Sequence, residues 1–351
     1  MKKLTSVFLA VIAVLCMCCG CSGAKTTPTK VIYFIGDGMG YNHIQNTAIY
    51  YEKTLNMQNI SVCGEATTYA LDSPVTDSAA GGTALATGYK TNCGILGYTY
   101  ENNKAKRVEN LLEYSRKQLK KKVGIVTTDL VTGATPAAFS SHTGSRNNDT
   151  IIRDQQIAFA PNVLFGGAGF SYQIRVEKAG HTAVTTATEL NALTGGKSIF
   201  GLFDTYDLAD CVEDESTPSI LQMTKKAIEL LDNKKGFFLM VEGAQIDKAS
   251  HLNDVELALK HVYAMDLAIA YALEYAKNDG NTLVVITADH ETGGLRLATN
   301  KEQITNDLYT SGNHTGQNVP VYAYGKMAEL FAGEMDNTDI AKKIREILAT
   351  K

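Results

Sequence analysis

Residues Val31–Gly40 read VIYFIGDGMG: five apolar residues in a row, closed by a glycine turn around Asp37. The run is continuous rather than alternating, as expected of a strand covered on both faces of a parallel sheet. A helix is predicted to follow from Tyr41 to about Lys53. Comparable runs are KVGIVTT (122–128), GFFLMVEG (236–243), NTLVVITAD (281–289) and VPVYAYG (319–325). Helical spacing separates several of them, most clearly over Val255–Lys277, and Thr217-Pro218 reads as the N-cap and first residue of the helix before GFFLMVEG. Residues 150–235 are patterned weakly, with PNVLFGGAGF as one more strand and turn. Strand–helix alternation of this kind predicts the α/β class, a three-layer α/β/α sandwich with a central, mostly parallel sheet. One domain is expected over residues 30–351.

The composition, 44% hydrophobic and 20% charged over 351 residues, is that of a folded protein with a sizeable core. A net charge of −4 and the absence of a basic run interleaved with aromatics argue against a nucleic-acid partner. Lys2 and Lys3 precede an apolar run from Val7 to Cys16 and then LCMCCGCSG, the pattern of an export signal over residues 1–20. Gly20-Cys21 resembles a bacterial lipoprotein processing site, which makes Cys21 the lipidated first residue and 21–29 a short tether. Plain cleavage near Gly23-Ala24 is the alternative. Either way the expected location is outside the bacterial cytoplasm, periplasmic or membrane-anchored. Beyond the leader only Cys63, Cys93 and Cys211 remain, without metal-type spacing. A Cys63–Cys93 bridge is compatible with an oxidising compartment, and the spacing does not decide it.

In open α/β sheets, ligands bind beyond the C-terminal ends of the strands. Three of the predicted strands end there in acid: Asp37, Glu242, and Asp289 beside His290. Carboxylates crowded after apolar runs repel one another and are costly to desolvate, and cations are the simplest compensation. In GAQIDKASH, Asp247 and His251 are four residues apart on one helical face, half of a zinc site. His314, in the loop SGNHTGQNVPV, is the candidate third ligand. The small-residue run VTDSAAGGTA (75–84) admits two compatible readings of Ser78, as a helix cap or as a nucleophile at a helix N-terminus whose hydroxyl a metal would activate. Neither a Walker loop nor a G-x-S-x-G elbow is present.

Taken together, FIGDGMG, VTDSAAGGTALATGYKTNCGILG, ATPAAFSSHTGSR, VEGAQIDKASH, VITADHETGG and NHTG resemble the alkaline phosphatases, in that family's order, from residue 34 to 316. The resemblance implies hydrolysis of phosphate monoesters through a phosphoserine on Ser78. It implies one zinc on Asp37, Asp289, His290 and Ser78, and a second on Asp247, His251 and His314. A magnesium would lie on Asp37, Thr135 and Glu242. The two zincs would lie about 4 Å apart, clamping the attacking and leaving oxygens. Arg146 would grip two phosphate oxygens, since guanidinium suits bidentate binding. His142 reads as structural, and His43, His181 and His261 as uninvolved. Members of the family often carry an acidic residue or histidine where this chain has Gly133. Lys248 matches a lysine-bearing variant of the family. With no carboxylate at 133 to pair with, Lys248 is expected to lean toward phosphate, and magnesium to bind more weakly. The chain leaves no room for large insertions, which predicts an open pocket and broad specificity. Dimerisation is common in the family. A phosphodiesterase or sulfatase-like relative is the first alternative, and a non-catalytic exported metal- or phosphate-binding protein the second.

Overall fold

The computed structural model describes residues 28–204 and 217–350. The proposed leader, Cys21 and Cys211 lie outside the described residues. Ten strands form one sheet: β1 (Lys30–Gly36), β2 (Val62–Thr67), β5 (Lys122–Leu130), β6 (Val163–Gly167), β7 (Thr182–Val184), β8 (Ile199–Phe203), β9 (Phe237–Gly243), β10 (Thr282–Thr287), β13 (Val319–Gly325) and β14 (Gly333–Asp336). Two short hairpins, β3 (Tyr98–Glu101) with β4 (Lys104–Arg107) and β11 (Glu291–Thr292) with β12 (His314–Thr315), stand apart from it.

The spatial order is β14-β2-β13-β10-β1-β9-β5-β6-β8-β7, and only β13 runs against its neighbours. Helices cover the sheet in a three-layer α/β/α sandwich. The predicted runs are its centre: β10, β1, β9 and β5 are adjacent and mutually parallel. Every residue of β1, β9 and β10 is buried, which is why these strands read as unbroken apolar runs. The helix predicted over 255–277 spans Val255–Asp279 and ends at Gly280 in the left-handed region. The helix before β9 begins two residues later than expected. Ser219, not Thr217, is its cap, because the Ser219 hydroxyl and Gln222 form a reciprocal capping box. Cys63 is exposed and Cys93 half-buried, and both are free thiols.

One buried ionic knot matters to the site. His142 Nε2 lies 3.0 Å from Glu113 Oε2, and its Nδ1 lies 2.9 Å from the Gly97 carbonyl. Glu113 also takes Arg107 at 2.5 Å and Lys117 at 3.0 Å. The structural reading of His142 thus agrees with its contacts. They pin the segment that leads from Thr135 to Arg146. Burial pushes the Glu113 carboxyl up, but His142, Lys117 and Arg107 outweigh it and hold the group well below its ordinary 4.5. Such a depressed carboxylate adds stability above the unfolded value, and that stability is lost as pH falls toward the folded value. Glu113→Gln is therefore expected to cost about 2 kcal/mol near neutral pH. The gap between variant and wild-type denaturation should narrow below pH 4.5; a gap that stays constant with pH would contradict the assignment.

Candidate active site

Asp37 follows β1, Glu242 is the penultimate residue of β9, and Asp289 follows β10. Because β10, β1 and β9 are neighbours, the three carboxyls meet at one sheet edge. All are buried, Asp289 completely. Burial first, and then the other carboxylates, push Asp37, Asp289 and Glu242 above the usual carboxylate range. For Glu242 the strongest of those neighbours is Asp129. Protein donors relieve only part of this. Asp37 Oδ1 and Asp289 Oδ2 are buried without a hydrogen-bond partner.

Ser78 opens the helix Ser78–Thr87, and the cap is Asp77, whose carboxylate accepts from Ala80 N at 3.0 Å. Ser78 Oγ is 3.3 Å from His290 Nε2. The small residues behind it have a packing reason. A Cβ on Gly81 would lie 2.9 Å from the Asp289 carbonyl oxygen, and one on Gly82 would lie 3.3 Å from Thr135 Cα. The helix is wedged between two of the candidate ligands. Arg146 Nη1 is held 3.1 Å from Asp77 Oδ2, which sets a half-exposed guanidinium beside the serine. Asp77 also accepts from Gly94 N at 3.1 Å. Its role as an anchor was not legible, because Arg146 lies far along the chain.

The histidines carry the clearest chemical signal. His251 Nδ1 is 2.7 Å from the Gly312 carbonyl, and His314 Nδ1 is 2.9 Å from the Thr76 carbonyl. Carbonyls only accept, so each Nδ1 bears the hydrogen and each Nε2 presents a lone pair in the neutral ring. The two Nε2 atoms face each other at 3.1 Å. Asp247 joins them, with carboxylate oxygens 3.3 Å from His251 and 3.5 Å from His314. Opposed lone pairs at this distance require a proton or a cation between them. The hydrogen bond to Asp247 raises His251 to about 9.

His290 is fully buried, and burial, followed by the neighbouring His314, lowers it to about 3, so it stays neutral. Its Nε2 lies 3.4 Å from Asp37 and 3.3 Å from Asp289. Its Nδ1 lies 3.2 Å from the Thr292 hydroxyl, which donates to Asp247. Thr292 thus links the two groups, and it carried no sequence signal. Two donor clusters result, Asp37–Asp289–His290 and Asp247–His290–His314, each with ligand atoms within 4.8 Å of one another. Oxygen and imidazole donors with second nitrogens tied to carbonyls fit divalent cations.

Lys248 requires a correction. It does not lack a carboxylate partner: its ammonium pairs with Asp129 Oδ1, four residues before Gly133. His43 is buried between Gly40 N and Ser250 Oγ, and His181 contacts the Ile157 carbonyl, both outside the clusters.

The alkaline phosphatase family model matches residues 29–161, 169–308 and 299–350. The chain belongs to the alkaline phosphatase family. Alkaline phosphatase 4 of Bacillus subtilis is 34% identical, over 91% of this chain and 88% of that one. That alignment runs over 414 positions, more than this whole chain contains, so the Bacillus alkaline phosphatase has insertions that are missing here. The streptomycin-6-phosphate phosphatase of Streptomyces griseus is 30% identical over 88% of each chain. Among solved structures, a histidine-to-aspartate variant of the alkaline phosphatase of the Antarctic bacterium TAB5, with Mg bound in its M3 site, superposes with a TM-score of 0.79. It is 28% identical and covers 93% of this chain and 99% of that one. The Thermus thermophilus alkaline phosphatase, 22% identical with a TM-score of 0.80, supports the fold. As a family member the chain is a hydrolase.

Uncompensated acid at the sheet edge predicts that cations stabilise this alkaline phosphatase fold. Chelation near neutral pH should lower the melting temperature by about 5 °C or more, and zinc with magnesium should restore it. An unchanged melting temperature would show that the clusters hold no cation.

Proposed function

We propose that the chain hydrolyses phosphate monoesters to an alcohol and inorganic phosphate through a phosphoserine on Ser78. The observation that carries this reading is the placement of Ser78 Oγ. It sits at a helix N-terminus, 3.3 Å from His290 Nε2, with Arg146 anchored on the adjoining Asp77. Asp37, Asp289 and His290 would hold one zinc, Asp247, His251 and His314 the second, and Asp37, Thr135 and Glu242 a magnesium. The bound cations would supply Lewis acidity, lowering the pKa of the attacking hydroxyl and of water and neutralising the leaving oxygen.

The side chains do the rest. Arg146 binds two non-bridging oxygens of the phosphoryl group, and the free N–H groups at the start of the Ser78–Thr87 helix favour its charge. Ser78 Oγ attacks phosphorus as the ester oxygen departs, and water then displaces Oγ from the opposite side. Two inversions give retention at phosphorus. Asp77 fixes the guanidinium, so the phosphate is met by an oriented donor. Export with a lipid on Cys21 is part of the same proposal, supported by the lysine-flanked apolar leader and Gly20-Cys21.

Cation-loaded wild type should turn over an aryl phosphate monoester at alkaline pH, far faster than the matching diester or sulfate ester. Ser78→Ala should lose about a thousandfold or more in kcat. Arg146→Lys should lose about ten- to a hundredfold in kcat/KM, since ammonium gives a single-point contact. Preference for the diester or sulfate ester, or activity retained by Ser78→Ala, would overturn the proposal. Mass spectrometry of the membrane fraction should find a diacylglyceryl group on Cys21; a soluble mature chain beginning at another residue would refute the anchor.

A further inference from the structure

Gly133 caps the helix Ala134–Ser140, which carries Thr135, and it offers the site no side chain. The space beside it is nevertheless filled. A Cβ at position 133 would lie 2.6 Å from Asp129 Oδ2, 2.9 Å from the Leu130 carbonyl oxygen and 3.1 Å from Asp129 Cγ. Asp129 is near the end of β5, two residues beyond Thr127, where the pairing with β6 shifts register between Val126 and Leu130. Thr127 Oγ1 donates to Glu242 and accepts from Asp129 N at 2.9 Å. The other oxygen of Asp129 takes the Lys248 ammonium. Asp129 thus has one oxygen toward the Gly133–Thr135 turn and one on the lysine that follows Asp247. Its side chain is 22% exposed, against 47% for Lys248.

We propose that Asp129 is the acidic positioning residue of the Thr135–Glu242 site, serving from the strand end where a side chain at position 133 would otherwise serve, and that it also orients Lys248. This rests on the assignment of a magnesium to Asp37, Thr135 and Glu242. The chemistry suits that ion. Magnesium keeps several waters and is usually held through one or two carboxylates, so an additional acceptor at the rim holds its hydration shell. A side chain at 133 is excluded on two counts, by overlap with the Asp129 carboxylate and by the Leu130 carbonyl oxygen. The weaker magnesium binding expected from Gly133 alone loses its ground.

The test is magnesium affinity, measured by calorimetry and elemental analysis on zinc-loaded protein, independent of turnover. Asp129→Ala and the isosteric Asp129→Asn should weaken magnesium binding about tenfold or more and leave zinc content unchanged. Gly133→Asp in the wild-type background should lower the melting temperature. Wild-type affinity in Asp129→Ala and Asp129→Asn, with Glu242→Gln abolishing binding, would overturn the role of Asp129 alone. No magnesium bound by wild type, or binding that survives Glu242→Gln, would overturn the underlying site and the proposal with it.

Discussion

Mutual repulsion among Asp37, Glu242 and Asp289 is the constraint to which the rest of the structure answers. Adjacent parallel strands must deliver their C-terminal residues to one edge, and here those residues are acidic and buried. In an apolar setting an unpaired carboxylate is either protonated or compensated. Donors to this edge are few: Asp289 Oδ1 takes Gly38 N and its neighbour's N–H, and Thr127 serves Glu242. The oxygens left over, Asp37 Oδ1 and Asp289 Oδ2, both face the lone-pair nitrogen of a neutral imidazole. A carboxylate oxygen and an imidazole lone pair have nothing to offer each other. Both have something to offer a cation.

The same logic governs the facing histidines. Tying Nδ1 of His251 and of His314 to backbone carbonyls removes the tautomer that would let one ring donate to the other. The loops that contribute Gly312 and Thr76 therefore act on the site without entering it. This orients donors before any ion arrives, which lowers the ordering cost of binding.

Legibility followed locality. Strands β1, β9 and β10 were readable because burial on both faces leaves a continuous apolar run. The acids and His290 stood out because they end those runs. Strand β2, with the sequence VCGEAT, lies between β13 and β14 but is mostly half-exposed and has no such signature. In the weakly patterned region, Thr217-Pro218 imitated a helix start that Ser219 makes through Gln222. The missed site residues share one property: their meaning lies in a partner remote in sequence. Asp129 looks like an ordinary strand end until Lys248 and Gly133 are brought beside it. Asp77 looks like a cap, which it is, until Arg146 reaches it. The small-residue run was conspicuous, but its cause, contact with Asp289 and Thr135 on either side, is tertiary.

Exposure sorts the site into a floor and a rim, and that bears on specificity. Asp37, Glu242, Asp289, His290 and Thr135 are buried, whereas Arg146, His251 and Lys248 have side chains 36%, 39% and 47% exposed. On the proposed reaction, the phosphoryl group meets the floor and the guanidinium, and the ester's alcohol faces the rim. Contacts that recognise phosphate contribute equally for every monoester and cannot separate one alcohol from another. Discrimination needs a pocket shaped to the leaving group, which in α/β enzymes is built from loops over the sheet edge. With Arg146 committed to phosphate and His251 to a cation on this reading, the rim keeps Lys248, itself paired with Asp129, and a single solvent-exposed charge distinguishes poorly between neutral alcohols.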